Sequence, residues 1–109
     1  MIEGTVRDLQ ACIPVIFRLA GRPNLIIECV VDTGFAGALT LSPDAIKALG
    51  LPFFQEIEAN LANDVEVAVL AMGRRPLLGT ALLGGKRLCV NFVENGEVTI
   101  ESNAVAAAK

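Results

Sequence analysis

Asp32 is the acidic side chain whose setting invites chemistry. It follows the apolar run Leu25-Ile26-Ile27-Glu28-Cys29-Val30-Val31 and opens the turn Thr33-Gly34-Phe35-Ala36-Gly37, so a carboxylate stands where a strand meets a glycine-rich bend. The run predicts a strand buried on most of both faces, and a charge leaving such surroundings is costly unless something compensates or uses it. A plainer reading exists: Asp before Thr and Gly is ordinary turn chemistry, and Asp32 then only caps a turn. Composition narrows what else is available. The chain has no histidine, tyrosine or tryptophan. Without histidine there is no Ser-His-Asp or Cys-His scheme, no usual zinc hydrolase site, and little general-base chemistry poised near neutral pH. Any catalysis must rest on carboxylates, lysines, cysteines or the backbone.

The elements that would position Asp32 can be read along the chain. Ile2 to Arg7 predicts a short strand, Asp8-Leu9-Gln10 a turn, and Ala11 to Leu19 a second strand of period two, with Pro14 marking an edge or bulge. Turn formers at Ala20-Gly21-Arg22-Pro23-Asn24 predict that Leu25 to Val31 pairs back as a hairpin. After the Asp32 turn, Ala38-Leu39-Thr40-Leu41 is a short apolar strand. Ser42 then supplies a helix N-cap, Pro43 the first helical position, Asp44 an acid near the positive end of the dipole, and Gly50 the stop. Ile46 and Leu49 of this two-turn helix should face the sheet, with Lys47 in water. Alternation returns from Phe53 to Met72, a hairpin with its tip at Leu61-Ala62-Asn63-Asp64 and an acidic outer face. Beyond Gly73-Arg74-Arg75-Pro76, Leu77-Leu78-Gly79 leads into a helical turn through Leu83, ended by Gly84-Gly85. Leu88 to Val93 predicts a strand, Asn95-Gly96 a tight hairpin turn, and Val98-Thr99-Ile100 the last strand.

Length and composition bound the rest. The 109 residues suit one domain. A hydrophobic content of 53% and a mean hydropathy of +0.57 suggest that surplus apolar surface is buried between subunits. The formal charge of -3 argues against nucleic acid as a partner, since Arg74-Arg75 and Lys86-Arg87 are the only basic pairs and both fall at expected turns. No apolar run reaches the length of a membrane span, so no membrane partner is expected. The start, Met1-Ile2-Glu3-Gly4, lacks the basic segment and apolar core of a signal, and the three cysteines, Cys12, Cys29 and Cys89, show no Cys-x-x-Cys. Buried free thiols in a reducing cytosol are the expectation. The remaining acids are spread over turns and hairpin faces, where solvation explains them better than chelation, so neither metal nor cofactor is expected.

Two stretches, Val30-Val31-Asp32-Thr33-Gly34-Phe35-Ala36-Gly37 and Pro76-Leu77-Leu78-Gly79-Thr80-Ala81-Leu82-Leu83, resemble in type and order the motifs of the retropepsin-like aspartic proteases. These are the single-lobe relatives of pepsin, among them retroviral proteases and many small bacterial proteins. The resemblance runs over about residues 10 to 101. It implies an all-β fold, a closed β-barrel with one or two short helices, forming one domain over 1–101 with 102–109 as a disordered tail. It also implies an aspartic endopeptidase in which Asp32 meets its symmetry mate in a homodimer, because one chain holds one Asp-Thr-Gly and the reaction needs two carboxylates sharing a proton. Thr33 would hydrogen-bond across the dimer axis and Gly34 would bring its N–H to the carboxylate. Leu77, Leu78 and Gly79 would support the loop from beneath. Phe35, Ala36 and Gly37 would border the substrate groove, and Leu61, Ala62 and Asn63 would form the tip of a flap over a peptide or protein substrate. Strands near Ile2-Thr5 and Val98-Ile100 would join the two copies.

One departure from the pattern separates the functional readings. Active members carry a mobile flap with glycine at its tip, whereas this chain has no glycine between Gly50 and Gly73 and a short segment from Leu51 to Pro76. Either Phe53 to Met72 is a stiff, abbreviated flap or that device is missing. The alternatives are a non-catalytic retropepsin-like dimer that binds peptides or scaffolds, and a plain β-barrel without a groove. A phosphoryl-transfer role for Asp32 is set aside, since Thr33 stands where a lysine would be needed and the Gly-Phe-Ala-Gly turn lacks the lysine of a phosphate loop.

Overall fold

Period-two alternation becomes nine strands in this computed structural model, which describes residues 1–18, 21–50, 56–60 and 64–102, with the backbone alone described at 56–60 and 64–68. β1 (Ile2–Arg7) turns through Asp8 and Leu9, both at positive φ, into β2 (Gln10–Arg18). β2 buries Ala11, Ile13, Val15 and Phe17 while Pro14 faces outward. Along one edge β2 pairs with β3 (Leu25–Val31); along the other it pairs with β1 at residues 10–12 and with β5 (Glu56–Asn60) at residues 16–18. Pro14 falls in the gap between those two neighbours, where a missing N–H costs nothing.

β4 (Leu39–Leu41) leads into α1 (Pro43–Ala48), whose cap is as expected: the Ser42 hydroxyl accepts from the Ala45 N–H at 3.1 Å. Ile46 is buried, Leu49 packs against the core, and Lys47 is exposed. Gly50, at φ +67, takes the left-handed conformation that ends the helix. β5 and β6 (Asp64–Ala71) form the expected hairpin, in register from Glu56↔Ala68 to Asn60↔Asp64; its tip, residues 61–63, lies outside the described residues. β7 (Leu77–Leu78) is followed by a single 3-10 turn, Thr80–Leu82, and then by β8 (Lys86–Val90) and β9 (Glu97–Ser102).

The strands lie in the order β3-β7-β4-β6-β5-β2-β1-β9-β8, and β3 also pairs with β2. From β2 round to β3 the sheet therefore curls about a core that includes Phe17, Ile13, Leu39, Leu41, Leu78 and Ile100. It is not closed into the barrel that the resemblance implies. The curl meets at β2, while β1, β9 and β8 run on beyond that meeting point and end in an edge.

Further expectations are corrected. β3 is not buried on both faces: Cys29 is inaccessible, yet Ile26 is 66% exposed and Glu28 is also exposed, because the outer face of the β2–β3 hairpin carries no covering layer among the described residues. β8 spans Lys86–Val90 instead of Leu88 to Val93, since beyond Asn91, whose N–H still donates to the Glu97 carbonyl, the chain leaves the ladder for a loop whose far end is held by β1. Val6 N–H donates to the Gly96 carbonyl and Asn95 N–H to the Val6 carbonyl, both at 2.9 Å, so Asn95-Gly96 sits in a longer loop instead of a two-residue turn. The strands near Ile2-Thr5 and Val98-Ile100 pair with each other inside one chain, from Ile2↔Ile100 to Thr5↔Glu97. Cys12 and Cys29 are buried free thiols, but Cys89 is exposed on β8. Ser102 ends β9, and residues 103–109 lie outside the described residues.

Candidate active site

Asp32 is the residue at which β3 stops and a turn begins, and three hydrogen bonds fix it. Its N–H donates to the Leu78 carbonyl at 2.9 Å, its carbonyl accepts from the Phe35 N–H at 3.1 Å, and its Oδ1 accepts from the Gly34 N–H at 2.9 Å. The last is an Asx-type turn. A side chain at position 34 would begin 3.3 Å from Oδ1, so glycine gives the carboxylate clear access to that N–H. Asp32 is half-buried, and Thr33, Gly34 and Ala36 are exposed.

The bond to Leu78 exists because β7 lies directly beside β3. Two residues long, β7 runs parallel to β3 at Val30↔Leu77 and Val31↔Leu78 and antiparallel to β4 at Leu39↔Leu78 and Thr40↔Leu77. So short a strand needs other support. Thr40, fully buried, provides it: its Oγ1 accepts from the Leu77 N–H at 3.0 Å and donates to the Arg75 carbonyl at 3.4 Å. Sequence reasoning gave Thr40 no special place.

Gly79 continues the same joint. Its N–H donates to the Ala38 carbonyl at 2.8 Å, and a Cβ there would lie 2.1 Å from the Gly37 carbonyl oxygen and 2.6 Å from that of Phe35. No side chain fits. Thr80, also missed, donates to the Phe35 carbonyl from both its N–H, at 2.9 Å, and its hydroxyl, at 3.3 Å. The Ala81 N–H reaches the Gly37 carbonyl at 3.2 Å. The Phe35 ring packs against Gly37 and Gly79, the positions where a Cβ would collide with it.

The structure thus brings Asp32, Gly34, Phe35 and Gly37 together with Leu77, Leu78 and Gly79 in one hydrogen-bonded joint. A groove of about 320 Å³ opens beside it. Asp32, Thr33 and Leu77 line this groove together with Leu9, Val90 and Phe92; Phe35, Ala36 and Gly37 do not. Leu61, Ala62 and Asn63 lie outside the described residues.

Two nearby thiols are held in their neutral form. Burial, then the Glu28 carboxylate, pushes Cys29 up to about 12, and burial followed by Glu28 also raises Cys12. Neither offers a thiolate near neutral pH. Among the described residues no three Cys, Asp or Glu side chains are grouped to hold a metal ion, and no helix is long and apolar enough to cross a membrane.

No protein-family model matches this chain, and no curated protein matches it. Among solved structures it is similar to a retropepsin-like aspartic protease from Rickettsia conorii, with a TM-score of 0.65 at 18% identity, covering 92% of this chain and 87% of that one. The fold is retropepsin-like.

Proposed function

We propose that this chain is one half of a homodimeric aspartic endopeptidase, with Asp32 of each copy facing the other across a two-fold axis. The observation that carries the reading is the grip on Asp32: a half-buried carboxylate, pinned by the Gly34 N–H and anchored through Leu78, beside an open groove. A residue that merely caps a turn does not need a strand from later in the chain to hold its backbone. The retropepsin-like fold supports the same conclusion.

In this mechanism two carboxylates at contact distance share one proton. The ionised partner takes a proton from a water placed between them while the protonated one donates to the carbonyl oxygen of the scissile peptide. Water oxygen bonds to the carbonyl carbon, giving a tetrahedral intermediate, and the C–N bond then breaks as the nitrogen accepts a proton from the pair. Thr33, exposed on the loop, would bond across the axis. Leu77, Leu78 and Gly79 keep the loop from shifting, and Phe35 stiffens it by packing on Gly37 and Gly79. Ala36 and the hairpin tip at Leu61, Ala62 and Asn63 would meet the peptide. Free thiols suit a reducing compartment such as the cytosol.

The test is cleavage of a mixed peptide library at mildly acidic pH. Cleavage next to apolar residues is expected, blocked by an aspartic-protease transition-state analogue, and abolished by Asp32→Asn. The rate should be bell-shaped in pH, because only the singly protonated pair works. Absence of cleavage at every pH from about 3 to 7, with peptide still bound by a dimer, would establish the non-catalytic binding module instead.

A further inference from the structure

The groove beside Asp32 adjoins another. Gln10 and Val30, which line it, also line a second cleft of about 290 Å³, bounded by Arg7, Asp8, Glu28 and Arg75. Apart from Asp32, Thr33 and Gln10 the first is walled by apolar side chains, whereas the second is charged. Its four charges are not equivalent. Arg7 and Glu28 form an ion pair at 3.2 Å and largely cancel. Among the described residues no acid lies within ion-pair distance of Arg75, whose guanidinium donates instead to the neutral Oε1 of Gln10. That bond holds the cation where the two clefts meet without neutralising it. The base of Arg75 is fixed as well: its carbonyl accepts from the Thr40 hydroxyl at 3.4 Å, and the carbonyl of Pro76 accepts from the Val30 N–H at 2.9 Å. Asp8, the opposing charge, stands on the exposed β1–β2 turn, and among the described residues no hydrogen bond holds its side chain.

We propose that this second cleft recognises a carboxylate, Arg75 selecting substrates that carry Asp or Glu a few residues from the bond cleaved. The proposal rests on the reading of Asp32 as half of a protease pair. Strand geometry sets the spacing. Val30, common to both clefts, stands two residues before Asp32 and Glu28 four, about 7 to 13 Å of strand at about 3.3 Å per residue. An extended peptide covers that length in about two to four residues. An apolar side chain beside the scissile bond then fills the groove, and an acidic one farther along reaches the guanidinium. With one N–H spent on Gln10, Arg75 keeps its other donors for the incoming oxygens. Because that side chain is already held, little rotamer freedom is lost on binding. The cleft is open to water, so the preference should be about threefold to fivefold and should shrink as salt rises. A basic substrate side chain drawn to Asp8 is the competing occupant.

The experiment digests the mixed peptide library with the wild-type protein at about pH 5.5, where substrate carboxylates are ionised, and identifies the cut sites by mass spectrometry. Asp and Glu should be enriched about two to four residues from the cleaved bond. A peptide cut in that screen is then made with Glu, Gln or Lys at the enriched position. Its kcat/KM should be about threefold to fivefold higher with Glu than with Gln. Arg75→Gln should bring that ratio to about one, Arg75→Lys should keep part of it, and Arg75→Glu should turn the preference to Lys. Arg74→Gln, next in sequence, exposed and outside the cleft, should leave the ratio as it is in wild type. Cleavage without an acidic preference, or with one that survives Arg75→Gln, overturns the carboxylate site and leaves the paired-acid reading standing. So does a preference for Lys, which would assign the cleft to Asp8. If nothing is cleaved, the library is passed over immobilised wild-type protein. Retention of acidic peptides that Arg75→Gln abolishes supports the site and removes the protease; no such retention overturns both.

Discussion

Thr40 carries more than its side chain suggests. Its hydroxyl is the acceptor for the Leu77 N–H and so helps hold in place the strand to which Asp32 is anchored. Replacing it with valine keeps the volume and strips the acceptor, leaving a part-buried N–H unsatisfied. Thr40→Val should therefore lower unfolding free energy by about 1–3 kcal/mol, whereas Thr40→Ser, which keeps the oxygen, should cost less. Urea unfolding followed by circular dichroism measures both. Asp32 was legible as a special residue because its neighbours in sequence, two valines and a glycine turn, are also its setting. Thr40 was not, since its partner lies 37 residues away and a threonine in an apolar strand looks the same whether or not its hydroxyl has work.

At the scale of elements, the joint between the Asp32 turn and β7 tolerates no added atoms. The Cβ of Gly79→Ala would meet two backbone carbonyl oxygens, which cannot swing aside as a side-chain tip can. A loss of about 2–4 kcal/mol is expected. Gly84→Ala, where a Cβ meets nothing within 4 Å, should fall within about 0.5 kcal/mol of wild type. Thermal melts of the two variants side by side check this; equal melting temperatures would mean that the joint yields. The hairpin β2–β3, the capped helix and the β5–β6 pairing were visible as local patterns of alternation, capping and turn residues. β7 is too short to show a period, and its partners are β3 and β4, both far earlier in the chain. The mistaken end of β8 has the same origin: Asn95-Gly96 is a strong turn signal by itself, but the N–H and carbonyl of Val6 claim that loop.

For the whole molecule, Cys29 ties stability to alkaline pH. Its thiol titrates near 9.0 in ordinary surroundings and near 12 in the folded chain, where burial and then Glu28 oppose the thiolate. Below about pH 9 both states keep the proton and the fold retains its full margin. Between there and about pH 12 the unfolded chain ionises first, so each unit removes up to about 1.4 kcal/mol. Cys29→Ala should start from a lower baseline, because it leaves a cavity, and then fall less steeply over that window. Denaturant titrations at several pH values give the two slopes, and parallel lines would refute the assignment. Mostly-β architecture could be foreseen from alternation alone, but the open edge could not. Whether a sheet closes depends on where β3 returns relative to β1, β9 and β8, and no stretch of sequence records that distance.

The bond from Asp32 to Leu78 has one more implication, for the order in which a newborn polypeptide acquires its parts. The acid leaves the ribosome before its clamp, with the whole β4-to-β6 region made in between. Until that clamp arrives, the Asp32 N–H has no β7 carbonyl to meet, and translation itself delays the final posture of the turn until the chain has passed Leu78.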